Sequence, residues 1–163
     1  MQNAPIFIND TRGITVLEVR SEVRRLKGEY ENLSLIIIDY MQLMQGNSRY
    51  QVREQEIADI SRSLKSLAWE LEVPVIALSQ LSREIEKRPS HRPLLSDLRE
   101  SGSIEQDADM VAFIYREDLY EENTEHLGQA EFIIKKQRNG PSGLSIPLKF
   151  DMSVVKFKNA ADN

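Results

Sequence analysis

Three features of this 163-residue sequence predict an α/β fold, with parallel strands and flanking helices followed by antiparallel strands near the C-terminus. Two apolar runs, 33–38 and 73–79, bracket one long amphipathic segment, which is the order of a βαβ unit in a parallel sheet. Three strand-like runs close the chain: "AEFIIKKQR", "LSIPLKF" and "SVVKFK". They are separated by "NGPSG" and by Asp151–Met152, turns short enough for antiparallel pairing. The length, with 40% hydrophobic and 29% charged residues, suits one globular domain with a real core.

Taken in order, "PIFIND" (5–10) is apolar and then polar, and reads as the end of a strand. Thr15 and Glu18 have the spacing of a capping box. Val16, Val19, Val23 and Leu26 follow at three- and four-residue steps, so a helix with one buried stripe is expected. The run 33–38 does not alternate, which predicts a strand buried on both faces. "QGNSRY" (45–50) is a polar loop. Residues 51–72 form a long helix with the stripe Ile57, Ile60, Leu64, Leu67 and Leu71. "VPVIALS" (73–79) is a second fully apolar strand, residues 82–106 are irregular and charged, and "DMVAFIYR" (109–116) is a third buried strand. The C-terminal residues should fray from about 158.

Composition excludes several classes. The sequence has no cysteine, so a disulfide framework or thiolate zinc site is ruled out. No apolar run approaches the roughly 20 residues of a membrane helix, and no signal-like segment opens the chain. No membrane partner and a cytoplasmic location are therefore expected. The net charge of −5 argues against a wholly basic nucleic-acid surface while leaving room for a local basic patch. His91 and His126 lack paired-ligand spacing and read as surface residues.

Four constellations carry candidate chemistry. Asp39 ends an apolar strand, the place of an acid that holds the water ligands of a nucleotide-bound Mg²⁺. Mg²⁺ keeps several waters, so one carboxylate suffices. Strands also end in Asp for turn or capping reasons. Gln80 ends the next strand, where an amide can meet a γ-phosphate or an attacking water; an ordinary loop amide is the alternative. Lys136 and Arg138 lie two apart on a strand and share a side, so they could clamp phosphates, with Arg138 as a finger into a neighbour's site. The plain alternative is a solvated strand face. Gln137 points the other way and reads as structural. In "RPLLSDLRESGSIEQDAD", Arg99 and Gly102 could offer a guanidinium and a bare N–H to a phosphate, with Glu100 and Glu105 tying the loop down. A mobile surface loop is the alternative.

Together these segments resemble the carboxyl-terminal RecA-like motor domain of DnaB-type hexameric replicative helicases. "LIIIDYMQLM" is similar to that family's Walker B segment and "VPVIALSQLSR" to its third helicase motif. "LSDLRESGSIEQDADMV" is similar to its fourth motif and "KKQRNGPSG" to its arginine-finger segment. Order and spacing match from about residue 5 to 157, so the whole of 1–163 is expected to be one partial RecA-like ATPase domain. The resemblance implies an ATP-driven enzyme that moves on single-stranded DNA and unwinds duplex at the replication fork. Its cofactors would be ATP and Mg²⁺. Its partners would be single-stranded DNA, further copies of itself in a homohexamer, primase and a helicase loader, and its place the nucleoid. Asp39 would support Mg²⁺, and Gln80 would sense the γ-phosphate and couple it to DNA. Lys136 and Arg138 would reach in trans into the adjacent ATP site, and Gln137 would line that site too, against the side-chain argument. Arg99, Glu100 and Gly102 would lie on the pore loop that holds the DNA backbone, with Glu100 orienting Arg99 rather than meeting phosphate.

The departures are equally informative. No G-x-x-x-x-G-K-[ST] occurs among the seven glycines, so the phosphate cradle and its lysine are absent from this stretch. The family's catalytic glutamate, amino-terminal domain and linker helix have no counterpart here either. The chain is expected to be the later half of the motor domain, inactive by itself. The alternative is a P-loop-less RecA-like module that binds DNA or a helicase partner without hydrolysing ATP. Another RecA-like ATPase is disfavoured by "DLRESGSIEQDAD".

Overall fold

Helix α1 (Val16–Glu29) begins where its cap dictates. The Glu18 N–H donates to Thr15 Oγ1 and the Thr15 N–H donates back to the Glu18 carboxylate, a complete capping box. The structure, a computed structural model, describes residues 5–30, 32–46, 50–98, 102–121 and 123–161. The chain forms two compact units, Met1–Gln80 and Leu81–Asn163.

In the first unit α1 buries Val16, Val19, Val23 and Leu26. Helix α2 (Arg53–Leu71) buries the expected stripe, Ile57, Ile60, Leu64, Leu67 and Leu71. Polar ties fix the two helices: Arg20 and Arg24 both pair with Glu70, and Lys27 Nζ donates to the Leu71 carbonyl at 2.5 Å. Strands β1 (Ile36–Ile38) and β2 (Val75–Ala77) pair in parallel, Ile36 with Val75 and Ile38 with Ala77. A parallel pair needs a long crossover, and α2 supplies it.

Two expectations for this unit fail. Residues 5–10 form no strand; among the described residues no ladder partner reaches them, and Ile8 is 89% exposed. The strands are shorter than their apolar runs and are not buried on both faces. Ile36 is buried, but Ile37 and its neighbour Ile76 are 60% and 49% exposed. In β1 burial follows the pleat although the sequence does not alternate, and β2 is nowhere fully buried; α2 packs against it.

The second unit is built on an antiparallel sheet in the order β3 (Met110–Tyr115), β4 (Gln129–Gln137), β5 (Leu144–Asp151), β6 (Lys156–Asn159). The β3–β4 register slips by one between Val111 and Ala112, leaving Lys135 without a partner in the ladder. The β4–β5 turn contains Gly143 at φ +79°, a conformation that glycine adopts without strain. Ser153, Val154 and Val155 belong to the turn before β6 rather than to the strand itself. The segment 82–98 runs through two single 3₁₀ turns. A short helix α3 (Gly102–Asp107) follows, in place of the expected irregular loop.

Candidate functional site

Parallel pairing puts the C-terminal ends of β1 and β2 on one edge of the first unit, where open α/β sheets place ligands. Asp39 follows Ile38 directly, and Gln80 lies just beyond Ala77. The backbones stay together past the ladder: the Leu78 N–H donates to the Ile38 carbonyl and the Met41 N–H to the Leu78 carbonyl, both at 2.9 Å. Both side chains are exposed, and among the described residues no side-chain hydrogen bond engages the Asp39 carboxylate or the Gln80 carboxamide. A carboxylate and an amide brought to one edge and left without such partners are available to a ligand.

A residue passed over by sequence reasoning joins them. Gln42, in the 3₁₀ turn Met41–Leu43, donates through Nε2 to Ser79 Oγ at 3.0 Å. Its Oε1 accepts the Gln80 N–H at 3.3 Å. Arg53 of α2 donates to the Gln42 carbonyl at 2.7 Å and pairs with Glu56. Glu56 also accepts the Gly46 N–H at 2.8 Å; that bond, then Arg53, holds its carboxyl below the usual carboxylate range. The only signal in the sequence is the polar residue inside "YMQLM", three positions after the acid.

In the second unit Lys136 lies in β4, whereas Arg138, expected on the same strand, lies in the turn just past its end. Both turn toward the end of α3. Lys136 Nζ donates to the Glu105 carbonyl and, at 3.3 Å, to the Gln106 carbonyl. Arg138 donates to the Gln106 carbonyl at 2.9 Å and pairs with Asp109 at 3.2 Å. The last carbonyls of a helix lack intrahelical donors and carry partial negative charge, so cations settle there. The Arg138–Asp109 pair is half-exposed on both sides (50% and 60%), the class of ion pair that contributes about 0–1 kcal/mol. Gln137 folds over the turn: a Cβ at Gly140 would lie 2.8 Å from its Nε2, so a side chain at 140 would displace it.

Arg99 and Glu100 lie outside the described residues. Gly102 opens α3, and a Cβ placed on it would meet nothing within 4 Å. Neighbouring cations of the segment are engaged inside the protein. Arg88 pairs with buried Asp97 at 2.7 Å, Lys87 with Glu84 at 2.6 Å, and Arg92 makes a two-pronged bond to Glu131 at 2.7 and 2.5 Å. Asp97 also accepts the Leu94 N–H at 2.8 Å. His126 is exposed, while His91 is half-buried and stacks on Tyr120 with ring centroids 4.3 Å apart. Among the described residues no group of three or more His, Asp or Glu could hold a metal by itself. Asp39 nevertheless fits Mg²⁺, which takes one carboxylate when phosphates and water supply the rest.

The sequence profile of the DnaB-like helicase C-terminal domain matches residues 1–159. The chain belongs to this family. It is 56% identical over 160 residues to the replicative DNA helicase DnaC of Bacillus subtilis and 56% identical over 160 residues to DnaB of Geobacillus stearothermophilus, covering 98% of this chain and 35% of each relative. The chain thus spans about a third of the length of these helicases. Among solved structures it is similar to an ATPase domain, with a TM-score of 0.93 and 43% identity over 97% of this chain and 56% of that one. It is also similar to a DnaB-like replicative helicase studied with primase, with a TM-score of 0.92, 43% identity, and coverage of 97% and 38%. These matches agree with the parallel pair, its crossover helix and the antiparallel sheet.

Proposed function

We propose that this chain is the later part of the motor domain of an ATP-dependent hexameric replicative DNA helicase, which translocates on single-stranded DNA and unwinds the duplex. The observation that carries the reading is the edge occupied by Asp39 and Gln80, two exposed polar groups brought together in a chain of the DnaB family. Asp39 holds water ligands of the Mg²⁺ that accompanies ATP, and Gln80 faces the γ-phosphate and passes its state on to the DNA. Lys136 and Arg138, with Gln137 beside them, serve the ATP site of the adjacent subunit. Residues 1–163 act as one partial RecA-like domain. Arg99, Glu100 and Gly102, the last at the first turn of α3, serve the backbone of single-stranded DNA. Primase and a helicase loader are its protein partners, and it works in the cytoplasm on the nucleoid. No helix among the described residues is long and apolar enough to cross a membrane.

The chemistry divides simply. Bound Mg²⁺ neutralises charge on the phosphates, and the residues of this chain position and stabilise. The test is hydrolysis by the full-length protein with single-stranded DNA. Asp39→Asn abolishes turnover, and the 163-residue chain alone shows none. Turnover by the isolated chain that disappears in Asp39→Asn would overturn the assignment. For the DNA loop, Arg99→Ala lowers the slope of log affinity against log salt by about 0.7 for each phosphate that is no longer neutralised. An unchanged slope and affinity would return the loop to a solvated turn.

A further inference from the structure

Gln80 stands beyond the last paired residue of β2, so the sheet ladder does not fix its backbone. The fixing comes from the Gln42 carboxamide. A backbone N–H can only donate, so the 3.3 Å bond from the Gln80 N–H sets Oε1 of Gln42 toward it, leaving Nε2 for the Ser79 hydroxyl at 3.0 Å. Ser79 Oγ lies 3.4 Å from the Gln80 carbonyl and closes the ring of bonds. The backbone of Gln42 itself is anchored on α2, because Arg53, paired with Glu56, donates to its carbonyl at 2.7 Å. Gln42 thus grips both residues at the tip of β2 while lying three positions after Asp39 on the segment that leaves β1.

We propose that Gln42 is a positioning residue for ATP hydrolysis, holding Gln80 at a fixed place relative to Asp39 so that the phosphate-facing amide and the metal-side acid form one unit. This rests on the reading of Gln80 given above. Positioning of this kind is exacting, because a misplacement of about 1 Å can cost roughly 10²-fold in rate. The contribution belongs to turnover rather than to nucleotide binding, since both ends of the Gln42 carboxamide are engaged on the strand tip.

The test uses the full-length protein, with DNA-stimulated hydrolysis and melting temperature measured together. Gln42→Leu keeps the side chain's bulk and removes both bonds. It should lower kcat by about 10- to 100-fold while KM for ATP stays within about threefold. Gln42→Glu still accepts the Gln80 N–H, and the Ser79 hydroxyl can turn to donate to it, so most of kcat should return. Ser79→Ala should cost less than Gln42→Leu and nothing further in the Gln42→Leu background, because the two side chains act as one linkage. The proposal is overturned by wild-type kcat in Gln42→Leu, or by equal losses in the Leu and Glu variants that track a fall in melting temperature. Gln80→Ala separates the two levels. If it hydrolyses like wild type, the reading of Gln80 fails. If it is impaired while Gln42→Leu is not, that reading stands and the role of Gln42 fails.

Discussion

The strand edge of the first unit and the cation pair of the second present their side chains in opposite ways. Asp39 and Gln80 have exposed side chains on a backbone held by Gln42 and by bonds between the two chain segments. Lys136 and Arg138 are engaged, on the last carbonyls of α3 and on Asp109. On the reading proposed above, Asp39 and Gln80 meet their ligand in their own subunit, from an edge whose backbone is hydrogen-bonded. On the same reading, Arg138 serves a neighbour, and its half-exposed pair with Asp109 is one that breaks at small cost. The bonds of Lys136 to the terminal carbonyls of α3 are the firmer of the two attachments.

The largest expected effect falls on Arg138. In the full-length protein Arg138→Ala should leave nucleotide affinity within a few-fold of wild type and lower hydrolysis by about 10³ to 10⁵, the range of arginine fingers elsewhere. Retained hydrolysis would make Arg138 a surface partner of Asp109 and nothing more. Lys136→Met should have a smaller and partly structural effect. It removes the ammonium from the Glu105 and Gln106 carbonyls, a loss of about 1.5–3 kcal/mol for hydrogen bonds to a charged group. Amide exchange in α3 should therefore speed up, whereas Gln80→Ala should leave exchange throughout β1 and β2 unchanged. Equal protection of α3 in wild type and Lys136→Met would erase the contrast between the two regions.

The smallest effect concerns pH. The Arg92 guanidinium, and then the Ser145 hydroxyl, hold the Glu131 carboxyl below its ordinary value. A carboxyl lowered in the folded state stabilises the fold above its unfolded pKa, and that stabilisation fades as pH falls through the folded value. The melting temperature of the chain should decline as pH falls below about 4.5. Glu131→Gln should flatten the decline in part, because Asp118, lowered by Arg116, contributes in the same direction. Identical pH profiles for wild type and Glu131→Gln would show that Glu131 adds nothing to this acid sensitivity.

Local pattern reached far in this chain. The capping box of α1, the stripe of α2 and the parallel pairing of β1 with β2 follow from spacing and from the length of the crossover. Lys136 and Arg138 do reach the same carbonyl, that of Gln106, although Arg138 lies past the end of the strand the sequence predicted. What escaped depended on partners distant in sequence. The exposure of Ile37 and Ile76 reflects which side α2 covers, and apolar runs do not encode that. The engagement of Lys136 with α3 spans about thirty residues. Gln42 is an ordinary polar residue in a turn until the fold sets Ser79 and Gln80 beside it. Gly102 reads as loop because a glycine between two serines is the pattern of a flexible turn, whereas it opens a helix of six residues.

On the proposed function, Asp39 serves the ATP site of its own subunit and Arg138 the site next door. Mixing full-length Asp39→Asn and Arg138→Ala subunits tests it directly, because each variant keeps the group the other lacks. Each alone should form rings and hydrolyse almost no ATP. Mixed rings should recover measurable DNA-stimulated hydrolysis, from interfaces at which an intact Asp39 site receives an intact Arg138. If native mass spectrometry shows that mixed rings form and hydrolysis stays at the level of the single variants, Arg138 does not act across the interface.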